Sequence, residues 1–230
     1  MIKAVVFDMF ETLVTLFVGR TYFSEDIARD LGIDVTEFRR EWHKNEHDRT
    51  IGKLTIEEGI AMSIEPFGIC TPENVALVAG KRNEALRDTF GNIPNETFEL
   101  LGELKKRGIK IGLITNTFSD ERALIRSSRL FPYFDAVRIS YEEGVSKPDP
   151  SMYLSIMEEF GAEPAECLYV GDGGSKELYA ARELGMNALQ AGWFQNLATE
   201  GHLPCPLLPD FPHAMKQAEV PEWVDYLPPQ

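Results

Sequence analysis

Asp8 ends an apolar run, Ala4 to Phe7, and Asp172 ends another in "CLYVGD". A carboxylate at the tip of a buried strand costs too much desolvation to serve packing alone. Asp8 is therefore read as a nucleophile, whose attack on phosphorus or carbon would form a covalent intermediate and divide one displacement into two. Asp172 would put a second carboxylate in the same crevice. Such a pair repels unless a cation lies between, and Mg²⁺ suits a few carboxylate oxygens completed by water and phosphate. Lys147 sits in "SKPDP", where Pro148 and Pro150 stiffen the backbone that aims its ammonium at Asp8 and a substrate anion. Thr115 closes "KIGLIT". Its hydroxyl and the backbone N–H groups beyond it suit phosphate oxygens, although the same hydroxyl would also serve as a helix cap. Asn116 adds a donor beside it. Glu177 opens the helix after Asp172, where it would bind a metal-bound water or favour the helix dipole.

The elements that must position these residues follow from periodicity. "KAVVFD" reads as a buried strand. From Leu16 to about Arg87 the pattern is helical, and four helices are expected in "SEDIARDLG", "VTEFRREWHKNEHDR", "TIEEGIAMSIEPFG" and "TPENVALVAGKRNEALRDTF". Ser24 with Glu25, Thr55 with Glu58, and Thr71 with Pro72 supply caps or first-turn residues. After "GNIPN" helices alternate with strands "IKIGLIT", "FDAVRIS", "CLYVGD" and "NALQAG", which predicts a parallel sheet covered on both faces. The Pro-rich tail "LPCPLLPDFP" is irregular, with a helix expected in "PEWVDYL". The fold class is thus α/β: a Rossmann-like parallel-sheet core, residues 1–14 and 89–230, interrupted by an α-helical block at 15–88. Ligands of open parallel sheets bind beyond the carboxyl ends of the strands, where Asp8, Thr12, Thr115, Asn116 and Asp172 would meet beneath the inserted helices.

In this order and on these elements, "DMFET", "LITN", "SKPDP" and "VGDGGSKE" resemble the four motifs of the haloacid-dehalogenase superfamily, and the helical block resembles its first-type cap. The resemblance runs to about Trp193. It implies a nucleophilic Asp8, Thr115 and Asn116 on the substrate, a charge-balancing Lys147, and magnesium held by Asp8, Asp172, Glu177 and the main-chain carbonyl of Phe10. Phe10 is the departure. The family's phosphatases carry an acid/base Asp there, whereas its dehalogenase branch has an aromatic residue and no metal; yet "GDGGSKE" departs from that branch. A dehalogenase-like first motif stands with a phosphatase-like fourth. The implied function is Mg²⁺-dependent hydrolysis of a small phosphorylated metabolite, with a 2-haloacid dehalogenase as alternative and a non-catalytic phosphometabolite-binding protein as a third reading.

Composition narrows the partners. With 23 Lys and Arg against 37 Asp and Glu the net charge is −14, which repels nucleic acid and anionic lipid surfaces. Neither is expected to bind; a small anionic substrate needs a local cation or metal. The apolar start is too short for a signal peptide and no run reaches the ~20 residues of a membrane span, so a cytoplasmic protein is expected. Cys70, Cys167 and Cys205 are read as reduced, space-filling thiols. His43 and His47 are spaced to share a helix face, and a solvated face is expected of them. They are nevertheless kept, with Glu11, as alternative sources of a proton in place of Phe10. In the helical block Trp42 is expected in the core, and Arg49 and Lys53 in solvent. The sequence leaves the oligomeric state open.

Overall fold

The computed structural model describes residues 1–197 and 205–226. Its core is one six-stranded sheet of order β3-β2-β1-β4-β5-β6, with every pairing parallel. The strands are β1 (Ala4–Phe7), β2 (Lys110–Thr115), β3 (Ala136–Ile139), β4 (Cys167–Gly171), β5 (Asn187–Ala191) and β6 (His213–Ala214). Alternation along each strand divides the core in two. Val5, Phe7, Ile111, Leu113, Leu168 and Val170 face α6 (Asn95–Lys106), with α7 (Ser119–Ser127) and α11 (Val220–Tyr226) on the same side. Ala4, Val6, Ile114 and Tyr169 face α9 (Pro150–Phe160) and α10 (Glu177–Glu183). The expected α/β sheet covered on both faces is what the chain forms.

Between β1 and β2 the chain inserts α1 (Ser24–Leu31), α2 (Val35–Lys44), α3 (Glu46–Thr50), α4 (Ile56–Ile64) and α5 (Pro72–Gly91). These bury their own cluster, including Ile27, Phe38, Ile60 and Val78. Thr55 with Glu58 forms a reciprocal capping box, and Thr71 caps α5 ahead of Pro72. Ser24 begins α1 rather than capping it; Asp26 accepts the backbone N–H of Phe23 instead.

Four expectations need correction. The second predicted helix breaks at Asn45, so His43 and His47 lie on separate helices and share no face; both are exposed. Asn45 is buried and donates to the Gly59 carbonyl and Ser63 hydroxyl of α4, a tertiary tie that ends the helix. Arg49 is fully buried rather than solvated, whereas Lys53 is exposed and Trp42 is buried as expected. Cys70 is exposed and fills no space, unlike Cys167. The irregular tail contributes β6, beside β5; its residues 203, 204 and 227 lie outside the described ones. A short α8 (Ser140–Glu143) follows β3.

Candidate active site

Register brings the motif residues level. Phe7 pairs with Leu113 of β2 and Val170 of β4, and the Asp8 N–H donates to the Val170 carbonyl at 2.9 Å. The tips of β1, β2 and β4 therefore present Asp8, Thr115 and Asp172 together. Lys147 arrives from the loop before α9 and is buried. Its ammonium donates to Asp8 Oδ1 at 2.6 Å, to Glu177 Oε2 and to Tyr169 Oη at 3.5 Å. An ammonium has three donors, and all three are engaged. Burial alone would lower its pKa, but Asp8 and Glu177 more than offset that and hold it well above the ordinary lysine value.

Asn116 holds the backbone behind this lysine. Its Oδ1 accepts the Lys147 N–H at 2.8 Å and its Nδ2 donates to the Lys147 carbonyl at 3.2 Å, a reciprocal pair. The same Nδ2 lies 3.3 Å from Ser175 Oγ, so this amide ties together the loops after β2, before α9 and after β4. Thr115 is buried and does not cap the next helix, whose cap position is Phe118.

The carboxylates form one cluster: ligand atoms of Asp8, Asp172 and Glu177 lie within 4.8 Å of one another. Glu177 is fully buried and committed within the protein, with Oε2 accepting from Lys147 and Tyr169 and Oε1 from the Gly173 N–H. A Cβ at Gly171 would stand 2.0 Å from Glu177 Oε1, so this approach requires glycine. Burial pushes the Glu177 carboxyl up while Lys147 opposes it. Asp172 is half-buried, accepts the Gly174 N–H at 2.9 Å, and is raised by burial and then by Asp8. The oxygens of Asp8 and Asp172 are hard donors that suit a dication such as Mg²⁺. Side chains of Gln190, Cys205 and Leu208 stand beside Gly173.

Phe10 packs edge-on against Phe90 of α5, ring centres 6.2 Å apart. Glu11 adopts a left-handed backbone, φ 54°, strained for a residue with a Cβ. Its carboxylate accepts from Thr15 Oγ1 at 2.7 Å and the Leu16 N–H at 2.8 Å, closing the turn that leads into the inserted helices. Burial pushes it up to about 7 against those two hydrogen bonds.

Sequence reasoning missed Tyr169, Ser175 and Gln190. Gln190 Nε2 supports the loop after β4 by donating to the Asp172 carbonyl at 2.7 Å. A hydroxyl inside "CLYVGD" was the available signal for Tyr169. Ser175 and Lys176 are left-handed, a conformation that neither residue type favours.

Residues 2–185 match the model of the haloacid dehalogenase-like hydrolases. The phosphatase MT3486 of Mycobacterium tuberculosis is 30% identical over 176 residues, 74% of this chain and 79% of that protein. A 2-haloacid dehalogenase from Pseudomonas syringae pv. Tomato DC3000 superposes with TM-score 0.69 at 23% identity, covering 98% of this chain and 99% of that one. A HAD family enzyme of Bacteroides thetaiotaomicron, solved with magnesium and inorganic phosphate, gives 0.62 at 20%, covering 83% and 94%. At those identities the two structures speak for the fold alone. The family match spans most of the chain, and all four motif segments meet beyond the carboxyl ends of β1, β2 and β4: this protein belongs to the haloacid dehalogenase-like hydrolases.

Proposed function

We propose that the chain is a Mg²⁺-dependent phosphohydrolase acting on a small phosphorylated metabolite, with the inserted helices as its cap. The observation that carries this reading is the opposed pair Asp8 and Asp172. Their oxygens lie within 4.8 Å of each other, and Asp172 is raised by burial and by Asp8: two carboxylates stand close where a metal-free displacement needs one. A dication held by these carboxylates would offset their repulsion and supply Lewis-acid polarisation of a phosphoryl oxygen. Asp8, Asp172 and the carbonyl of Phe10 would hold it.

Lys147 holds Oδ1 of Asp8, leaving Oδ2 to attack phosphorus. The ester P–O bond breaks as the Oδ2–P bond forms, and the leaving oxygen takes its proton from solvent; water then attacks phosphorus, gives up a proton to solvent, and releases phosphate as the Oδ2–P bond breaks and the carboxylate is regenerated. Lys147 neutralises charge on Asp8 and the phosphoryl oxygens, Glu177 and Tyr169 hold the ammonium in place, and Asn116 fixes its backbone. Thr115 and the Asn116 N–H would receive phosphate oxygens, the Thr117 and Phe118 N–H groups being engaged by Ser140 and Glu121.

Asp8→Asn should keep the wild-type melting temperature and lose about 10⁴-fold or more in phosphate release; near-wild-type turnover refutes the nucleophile. Chelation should abolish phosphate release, and Asp172→Asn should raise the magnesium concentration giving half-maximal rate. Phe10 favours the competing 2-haloacid dehalogenase reading, which full activity on halo-acids after exhaustive chelation would establish. Binding of phosphorylated metabolites with neither phosphate nor halide release would instead support the non-catalytic reading.

A further inference from the structure

Gln190 is fully buried near the carboxyl end of β5, level with Gly171 of β4. Its amide is bonded to two separate loops. Nε2 donates to the Asp172 carbonyl at 2.7 Å and to the Pro206 carbonyl at 3.0 Å, while Oε1 accepts the Leu208 N–H at 2.7 Å. Both N–H bonds and the oxygen are thus spent within the protein. Burying an amide is costly unless it is bonded, and an apolar side chain would fill a strand interior without that demand.

The bond to Asp172 is one of two grips on the same peptide unit. The Asp172 carbonyl and the Gly173 N–H belong to one planar group. Gln190 holds the first, and Glu177 Oε1 accepts the second at 3.2 Å. With both ends of the plane bonded, rotation about the Asp172 Cα–C bond is fixed. Asp172 Oδ1 accepts the Gly174 N–H at 2.9 Å, which ties the carboxylate to the same loop. Gly173 is left-handed, φ 99°, and a Cβ there would stand 3.0 Å from Gln190 Nε2 and 3.1 Å from Cys205 Sγ; the close approach of amide and tail uses the missing side chain. The tail also reaches the carboxyl, because the Cys205 main chain hydrogen-bonds Asp172 and favours its charged form. Asp8 is held by Lys147, whereas the direction of Asp172 depends on this loop.

We propose that Gln190 is a positioning residue for the magnesium site: by clamping residues 205–208 onto the loop after β4, it fixes the 172–173 peptide and keeps the Asp172 carboxylate beside Asp8 before a dication arrives. With its oxygen engaged by Leu208, Gln190 acts through Asp172 and is no ligand itself. This rests on the metal-dependent reading above, and the test measures metal binding apart from turnover. Calorimetry follows magnesium chloride added to the substrate-free protein. Gln190→Met, similar in length but without hydrogen bonds, should raise the magnesium dissociation constant about 10–100-fold, the usual effect of losing an outer-shell partner. Phosphate release at saturating magnesium should stay within about threefold of wild type, since no group acting on the ester is lost. Phe211→Leu controls for general loosening of the tail, because Phe211 packs against Tyr179 of α10 with ring centres 4.8 Å apart. At a similar loss of melting temperature it should move the dissociation constant less than about threefold.

Magnesium affinity unchanged in Gln190→Met, or weakened equally in Phe211→Leu, overturns the proposal. So does a turnover deficit that saturating magnesium does not restore. Hydrogen exchange of the wild type tests the same point even where the Met variant does not fold: the Gly173 amide should exchange at nearly the same rate with and without magnesium. Slowing by about tenfold or more on adding the ion would mean that the metal orders this peptide, which also overturns the proposal. Absence of magnesium binding to the wild type overturns the metal-dependent reading and this inference with it, an outcome distinct from equal binding by wild type and variant, which overturns this inference alone.

Discussion

Phe10 decides the chemistry of a single residue. Its ring is occupied against Phe90, and it has no proton for a leaving group. General acid–base help is worth about 10²–10⁴-fold and matters most for a poor leaving group such as an alkoxide. Aryl and acyl phosphates should accordingly turn over faster than simple alkyl phosphates, with the deficit in the chemical step. Phe10→Asp should raise alkyl-phosphate turnover, compared at equal folded fraction because the substitution also removes the contact with Phe90. Rates across leaving groups of graded pKa check this; a flat series in the wild type means that another group supplies the proton. Glu11 is the nearest carboxyl by sequence, but its oxygens already serve Thr15 and Leu16. At this scale the sequence was informative where chemistry dictates residue type, as at Asp8 and Lys147. It was silent on Tyr169 and on Asn116's grip on Lys147, because those roles depend on which loops meet.

Between elements, the insert is tied to the core chiefly at α5 and α7. Arg82 of α5 reaches Asp120 at 3.0 Å and Glu121 at 3.2 Å. Burial, with Asp120 beside it, pushes Glu121 up to about 7 despite Arg82. A carboxyl whose folded pKa exceeds its unfolded value near 4.5 takes up a proton on folding between those values, so stability falls as pH rises through that window. Glu121→Gln should remove that part of the decline, leaving melting temperature flatter by about 2–4 °C between pH 5 and 8; identical pH profiles would refute it. Element type was legible because helix and strand periods differ. The breaks were not. In "EWHKNEHDR" Asn45 after His43 and Lys44 is only a weak stop signal, and the bonds made at this break go to α4. The two-residue β6 is too short to carry a period, and the burial of Arg49 depends on Gly59, ten residues away in sequence.

The whole molecule carries a net charge of −14, and among the described residues no helix is long and apolar enough to cross a membrane. A phosphorylated substrate, as proposed, would approach against that field to reach a crevice whose own carboxylates, Asp8, Asp172 and Glu177, outnumber Lys147. Electrostatic repulsion between the protein and a dianion acts over roughly a Debye length, which shrinks from about 30 Å at 0.01 M salt to about 8 Å at 0.15 M. Added salt screens this long-range term, while the buried contacts of Lys147 are screened much less. For a phosphate ester, kcat/KM should therefore rise about two- to fivefold between 10 and 150 mM sodium chloride at fixed magnesium, the reverse of a protein that steers anions with a positive surface. The increase should fall mainly on KM, because kcat describes substrate already past the outer field. Measuring both constants across that series, with a neutral osmolyte at equal osmolality as control, checks the prediction. A decrease in kcat/KM would mean that positive potential local to the crevice, from Lys147 or a bound dication, governs encounter instead of the molecule's total charge.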